Sequence, residues 1–229
     1  MTTHYVLQAE DVAIHYGGVK ALDGVSLTLE KGQIRGLIGP NGAGKSTVID
    51  AITGRRRLTR GRVPLDGAQR GLSRSFQRTS IFAGMAVRRQ VELASHRMGV
   101  ADSGADADAV LEELDLARLS HMLAEDLGYG EQRRLDLALA LVGRPKLLML
   151  DEPMAGLSVK ESHDLARHLK ALTSRWEVSV LLVEHDMDVV FGISDAVTVF
   201  ELGRVIASGE PAAVRADARV REAYLGSAA

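Results

Sequence analysis

The sequence predicts an α/β fold with a largely parallel sheet. Two short, nearly continuous apolar runs, Leu147–Leu150 and Val178–Val183, read as strands buried on both faces. Helical patterns lie between and after them, and alternation of this kind implies parallel strands joined by crossovers. A third short run, Ile34–Ile38, feeds directly into a glycine-rich loop. Sheets of this class bind ligands beyond the carboxyl ends of their strands, and that is where the polar motifs of this chain fall.

The elements follow in order. Val6–Leu7 and Val12–Tyr16 alternate as short strands, with Gly17-Gly18 as a turn. Val25–Leu29 alternates again, and Lys31-Gly32 turns the chain. After the glycine-rich loop, Ser46–Ile52 continues as a helix with Gly54 as its stop. Arg88–Arg97 and Asp106–Arg118 are predicted helices, the second carrying a stripe of Val110, Leu111, Leu114 and Leu116. Glu131–Val142 puts Leu135, Ala138, Leu139 and Val142 on one face, and Gly143 and Pro145 end it. Val159–Arg175 turns Leu165, Leu169 and Leu172 inward. A short helix, a strand at Ala196–Phe200, a turn at Leu202-Gly203 and a strand at Arg204–Ala207 complete the pattern.

Composition narrows the chemistry. The chain has 229 residues, 46% hydrophobic and 25% charged, which suits one large globular domain or two small ones with a substantial core and excludes disordered or low-complexity classes. It has no cysteine, so disulfides, thiolate metal sites and a cysteine nucleophile are excluded. The apolar runs are too short to cross a bilayer, and Met1 to Glu10 lacks the basic and apolar regions of a signal peptide. The expectation is a cytoplasmic protein that reaches a membrane only through a partner. The net charge is −2, yet Arg55 to Val100 contains eleven Arg against two acids, Asp66 and Glu92. That excess is either a solvated Arg-rich face or a surface for a ligand or partner.

The strongest chemical signal is Gly39-Pro40-Asn41-Gly42-Ala43-Gly44-Lys45-Ser46-Thr47, which fits G-x-x-x-x-G-K-[ST] between a strand and a helix. Its glycines let backbone N–H groups turn toward a polyphosphate, and the helix beginning near Ser46 adds its positive dipole end. Lys45 can neutralise phosphate charge, and the Ser46 hydroxyl can ligate Mg²⁺. A second signal is the pair of acids at the tip of an apolar strand, Asp151-Glu152. Asp151 is suited to hold Mg²⁺ through the ion's water shell, and Glu152 to orient and polarise an attacking water. His185 ends the next buried strand, where an imidazole can touch a terminal phosphate; a satisfied structural histidine is the plainer alternative. His163 and His168 stand five apart, and no zinc spacing or Ser–His–Asp arrangement emerges.

Four segments in this order, Gly39–Thr47, Leu127-Gly-Tyr-Gly-Glu-Gln132, Leu148–Pro153 and Val183–Asp186, resemble the nucleotide-binding subunit of an ABC transporter. The resemblance runs from about Val6 to Gly226. Ser73–Phe82, Tyr129–Leu135, Val183–Met187 and Ala223–Gly226 are similar to the branched-chain amino acid uptake type. It implies a P-loop NTPase (RecA-like) core with a mainly parallel sheet, an N-terminal antiparallel β subdomain and a small helical subdomain. It implies a single cassette over residues 1–229, with 1–79 and 127–229 as the nucleotide-binding core and 80–126 as the helical subdomain. The implied cofactors are ATP and Mg²⁺. Tyr16 matches the aromatic that stacks on adenine, and Gln77 the glutamine that touches Mg²⁺ and the attacking water. Leu127, Gly128, Tyr129, Gly130, Glu131 and Gln132 match the signature loop, which grips the ATP of the opposite subunit. Met154–Ser158 matches the D-loop, which crosses the dimer interface.

The resemblance also implies partners: transmembrane permease subunits, a second ATPase subunit that is a paralogue or a copy, and indirectly a substrate-binding protein. The expected place is the inner face of the cell membrane, peripherally, and no nucleic acid is expected. Three departures stand out. Gly128 replaces the usual signature serine, Ser158 stands where an Asp is common, and the segment between Asp66-Gly67 and Gly71-Leu72 is short. The alternatives are an exporter or lipid-extraction ATPase, which shares these residues, and a soluble nucleic-acid- or ribosome-associated protein using Arg55, Arg56, Arg57, Arg60 and Arg62. A kinase or other P-loop enzyme has no use for the loop at Leu127–Gln132.

Overall fold

The computed structural model describes residues 4–64, 71–75 and 80–225. In chain order the elements are β1 (Tyr5–Tyr16), β2 (Val19–Glu30), β3 (Ile34–Ile38), α1 (Lys45–Ile52), β4 (Arg60–Arg62) and β5 (Leu72–Ser75). Then come α2 (Val87–Arg97), α3 (Ser103–Glu113), α4 (Tyr129–Leu141), β6 (Leu147–Asp151), α5 (Val159–Trp176) and β7 (Ser179–Val183). The chain ends with α6 (Met187–Ile193), β8 (Ala196–Glu201), β9 (Arg204–Gly209), α7 (Pro211–Ala216) and α8 (Ala218–Leu225). It divides into two compact units, Met1–Arg70 with Ser179–Ala229, and Gly71–Val178.

The first unit holds an antiparallel sheet in the order β2-β1-β4, and a second set of strands in the order β7-β3-β8-β9. There β3 runs parallel to both β7 and β8, while β9 returns antiparallel along β8. All five residues of β3 and of β7 are buried, as their apolar runs require for strands covered on both faces. A core cluster of Ile38, Val190, Val197, Val199, Ala207, Val214 and Val220 joins α6, α7 and α8 to these strands. Tyr224 packs against that cluster, and burial pushes its phenol up to about 12. Helix α6 lies so close to β3 that a Cβ at Gly36 would stand 2.4 Å from Val190 Cγ1 and 2.9 Å from Ser194 Oγ.

In the second unit β5 and β6 pair in parallel, from Leu72↔Leu147 to Ser75↔Leu150. Helix α5 starts at an N-cap, Ser158, whose side chain accepts from Glu161 N–H while Glu161 reaches back to Ser158. It ends where Glu177 takes a left-handed conformation, φ 53. Its buried residues include Leu165, Ala166, Leu169 and Leu172.

The parallel strands and main helices lie close to their expected spans, and the differences have local causes. The two short strands expected before Gly17 are one long β1, because register shifts absorb the Glu10-Asp11 step, where Asp11 has φ 50. Helix α3 stops at Glu113, short of Arg118, since Asp115 turns the chain at φ 53; Leu114 and Leu116 stay fully buried from outside the helix. Strands β4 and β5 carry almost no apolar pattern, and α7 and α8 are short, so none was expected from periodicity.

Overpacking at the β3–α6 approach should be felt at once. Gly36→Val is expected to destabilise the fold by about 1–3 kcal/mol, read as a lower urea midpoint with an unchanged slope. An unchanged midpoint would show that α6 is free to move away.

Candidate functional site

The first unit carries the glycine-rich loop, which connects β3 to α1. Backbone crowds it from behind: a Cβ at Gly39 would lie 2.3 Å from the Phe200 carbonyl oxygen, and one at Gly44 would lie 2.9 Å from that of Ala21. Both glycines have positive φ, 153 and 106. Ala43 N–H donates to Pro40 O at 3.1 Å, and Gly203 N–H donates to Ala43 O at 3.0 Å. The turn bearing Gly203 is itself anchored, because Asp23 N–H donates to Gly203 O and Arg204 pairs with Asp23 at 2.6 Å. Arg204 and Lys20 together hold the Asp23 carboxyl down at about 2.

Lys45 is buried, and its ammonium donates to Gly39 O at 2.6 Å and Pro40 O at 3.1 Å, arching back over the loop. The first helical bond of α1 runs from Val48 N–H to Gly44 O at 2.9 Å, so the N–H groups before it have no intrahelical acceptor. The cap residue is Gly44, which offers no side chain, and no acid lies in the first turn. Asn41, Gly42 and Ser46 are exposed, Gly44 and Thr47 half-buried and Ala43 buried. A ring of donors, a positive helix end and a buried cation with no carboxylate in the turn fit a polyphosphate. The exposed Ser46 hydroxyl fits a phosphate-bound Mg²⁺.

Parallel pairing of β3 with β7, ending at Leu37↔Val183, sends His185 out at the same carboxyl edge as the loop. His185 is exposed, and its N–H donates to Glu184 Oε2 at 3.1 Å. Tyr16 closes β1 with its ring 49% exposed, and the Arg56 guanidinium stands 5.9 Å from the ring centroid.

The second unit carries the acids and the Leu127–Gln132 loop. Asp151 is the buried last residue of β6, and Arg74 on neighbouring β5 reaches Asp151 Oδ2 at 3.4 Å. Glu152 is half-buried and sits at φ 53, a conformation that residues with a Cβ seldom adopt. Its carbonyl accepts from Ala155 N–H at 3.2 Å. Leu127 is buried, and Gln132 Nε2 donates to Leu127 O at 3.1 Å. Gly128 caps α4 at φ −62, and its N–H donates to Glu131 Oε2 at 3.0 Å. Tyr129 is exposed, while Gly130 meets the Glu161 carboxylate so closely that a Cβ there would lie 2.4 Å from Oε1.

Gln77 and most of the short 66–71 segment lie outside the described residues. Residues that sequence reasoning did not single out include Arg74, Arg133 and Glu161. Arg74 is one Arg among many, and Glu161 matters only because α5 begins beside Gly130. Among the described residues, five arginines of the basic run face acids: Arg56 faces Asp50, Arg60 Asp11, Arg62 Glu10, Arg88 Asp108 and Arg89 Glu92. A groove of 1170 Å³ runs from Gly128 and Gly130 along α5 to Trp176. Its charges also pair with one another, as Arg134 does with Asp115 and Arg175 with Glu113. Among the described residues no helix is long and apolar enough to cross a membrane.

Position 128 accepts a serine. Its φ is ordinary, and a Cβ would meet only Glu131 Oε2, at 3.6 Å. Gly128→Ser is expected to shift stability by no more than a few tenths of a kcal/mol, about the difference between these two N-caps, and to raise any rate of nucleotide hydrolysis. An equal or lower rate would show that the hydroxyl adds nothing.

A family model described as ABC transporter matches residues 22–155, and one described as branched-chain amino acid ATP-binding cassette transporter matches residues 204–229. The chain is similar to BraF of Pseudomonas aeruginosa, a high-affinity branched-chain amino acid transport ATP-binding protein, with 37% identity covering 97% of this chain and 98% of BraF. It is similar to LivG of Escherichia coli, a protein of the same description, with 35% identity over 97% and 98% of the two chains. Its fold superposes on the crystal structure of the ADP conformation of an ATP-binding cassette of an ABC transporter. That match has a TM-score of 0.87 and 30% identity, over 98% of this chain and 100% of the other. The α/β architecture, the phosphate-loop geometry and these matches agree: the chain belongs to the ATP-binding cassette ATPases of ABC transporters.

Proposed function

We propose that this chain powers the import of branched-chain amino acids or a related small polar solute, as one of two cassettes held against transmembrane permease subunits. The observation that carries the reading is the glycine-rich loop: α1 opens on N–H groups with no side-chain cap, beside the buried Lys45, and such a helix start suits a polyanion. Similarity to BraF and LivG along nearly the whole chain, with the branched-chain family model at the C-terminus, favours this solute class over an exporter or lipid-extraction role. The pairing of Arg60, Arg62 and Arg88 with acids of the same chain speaks against a nucleic-acid surface.

In this reading Tyr16 stacks on adenine, and Gly39, Asn41, Gly42, Ala43, Gly44, Lys45, Ser46 and Thr47 wrap the phosphates. Ser46, Gln77 and, through water, Asp151 would hold Mg²⁺, which neutralises phosphate charge when bound. Arg74 steadies the Asp151 carboxylate from one side. Glu152 takes the proton of the attacking water as the water oxygen bonds to the terminal phosphorus and the bond from that phosphorus to the bridging oxygen breaks, with ADP as the leaving group; His185 and Gln77 hold the terminal phosphate and the water in line. Leu127–Gln132 of the opposite cassette closes the site, so a single copy binds ATP and hydrolyses it poorly. The division into a core (1–79 and 127–229) and a helical subdomain (80–126) belongs to the same reading. So do the peripheral place on the inner membrane face and the indirect link to a substrate-binding protein.

The permease-facing surface is read around Phe82, which is 65% exposed. Its loop is held by Gln90, whose Oε1 accepts from Phe82 N–H at 3.0 Å. Nearby, Ala86 pairs with Leu123, and Met122 and Leu123 are exposed, so apolar side chains gather on one rim.

Glu152→Gln tests both halves of the proposal. It is expected to keep ATP binding, lower turnover by roughly 10²-fold or more, and accumulate an ATP-bound dimer. Pulled from detergent-solubilised membranes with ATP, it should bring an amino-acid permease. Undiminished turnover removes Glu152 from its role, and recovery of an export permease overturns the solute class.

A further inference from the structure

In the second unit, Tyr129 leaves the first turn of α4 and reaches the segment that follows Glu152. Its hydroxyl donates to Ala155 O at 3.0 Å and accepts from Arg133 Nε at 3.2 Å. Arg133, one turn along and buried, adds its own bond from Nη2 to Ala155 O at 3.3 Å, with its guanidinium 5.4 Å from the Tyr129 ring centroid. The ring lies flush on Gly156, which has φ 82, and a Cβ there would stand 3.0 Å from Tyr129 Cε1. On its other side Ala155 N–H donates to Glu152 O at 3.2 Å, closing the turn in which Glu152 is held at φ 53. A continuous path thus runs from the Leu127–Gln132 loop through one hydroxyl and one backbone amide to the peptide of Glu152. A left-handed non-glycine residue persists only where its surroundings impose it, and this pinned turn is such a surrounding.

We propose that Tyr129 and Arg133 form a strut that sets the turn of Glu152 from the signature loop of the same chain. The inference rests on the function proposed above, in which that loop grips one ATP while Glu152 faces the other. The strut then links two catalytic sites: seating the loop on one nucleotide fixes Ala155, and Ala155 fixes the carboxylate at the second. Both are positioning residues, acting through Ala155 and not on the phosphate.

The test uses the full chain, with Tyr129→Phe removing one oxygen and Arg133→Gln removing the second bond. Four quantities are read: kcat, KM for ATP, melting temperature, and the ATP concentration that half-forms the dimer in the Glu152→Gln background. The strut predicts that Tyr129→Phe lowers kcat at least fivefold. KM and the half-dimerisation concentration stay within twofold, and melting within two degrees. It further predicts that Arg133→Gln lowers kcat in the same way, that Arg133→Lys recovers part of the loss, and that the double variant loses less than the product of the two single effects. A kcat within twofold of the parent in Tyr129→Phe overturns the strut. So does a KM or half-dimerisation concentration that rises in step with the loss, since that marks a residue of the grip. If Glu152→Gln alone forms no ATP-dependent dimer, the underlying function fails, and the strut with it.

Discussion

Polypeptide pressed against the back of the phosphate loop fixes its curvature. The Phe200 carbonyl leaves no room for a side chain at Gly39, and the Ala21 carbonyl leaves none at Gly44. Both glycines take positive φ where the chain enters α1, a conformation that lets successive amide groups face an anion. Much of the first unit serves this constraint. Strand β2 supplies Ala21, β8 supplies Phe200, and the β8–β9 turn holds Ala43 from Gly203 while Arg204 and Asp23 lock the turn. Buried β3 delivers the loop at a fixed height, and the parallel ladder with β7 delivers His185 to the same edge.

The second unit solves a different problem with similar means. Two helix starts, those of α4 and α5, lie against the short segment that leaves β6. Each is closed by an acid three residues in, Glu131 for α4 and Glu161 for α5, and Glu161 also occupies the space that a side chain at position 130 would need. Ser158 is engaged as the N-cap of α5. Glu152 takes its left-handed conformation inside this packed corner, and Asp151 is flanked by Arg74 from the adjoining strand. Polar groups of the corner are anchored to backbone, which suits a surface that must present groups without deforming.

Much of this was legible in the residues. Motif and burial pattern coincide at β3, β6 and β7: each short apolar run is a strand buried along its length, and each is followed at once by its polar motif. Helix α5 was legible because its N-cap, its apolar stripe and its length agree. Strand β5 was not, since Leu-Ser-Arg-Ser has no pattern of its own and becomes a strand through pairing with β6. The unity of β1 was hidden by a bulge at Asp11 that breaks alternation without ending the strand. At the candidate site, the tight glycine turn between β3 and α1 could be read from spacing, because its backbone chemistry is local. The links of Tyr129 to Ala155 and Gly130 to Glu161 could not, because they join residues distant in the chain that only the packing of α4 and α5 brings together.

Titration calorimetry of the purified chain with ATP and Mg²⁺ tests the central claim most directly. A loop whose amides and Lys45 converge on a polyphosphate predicts saturable binding of one nucleotide per chain. No heat and no saturation at millimolar ATP, from a chain with an intact melting transition, would contradict the account.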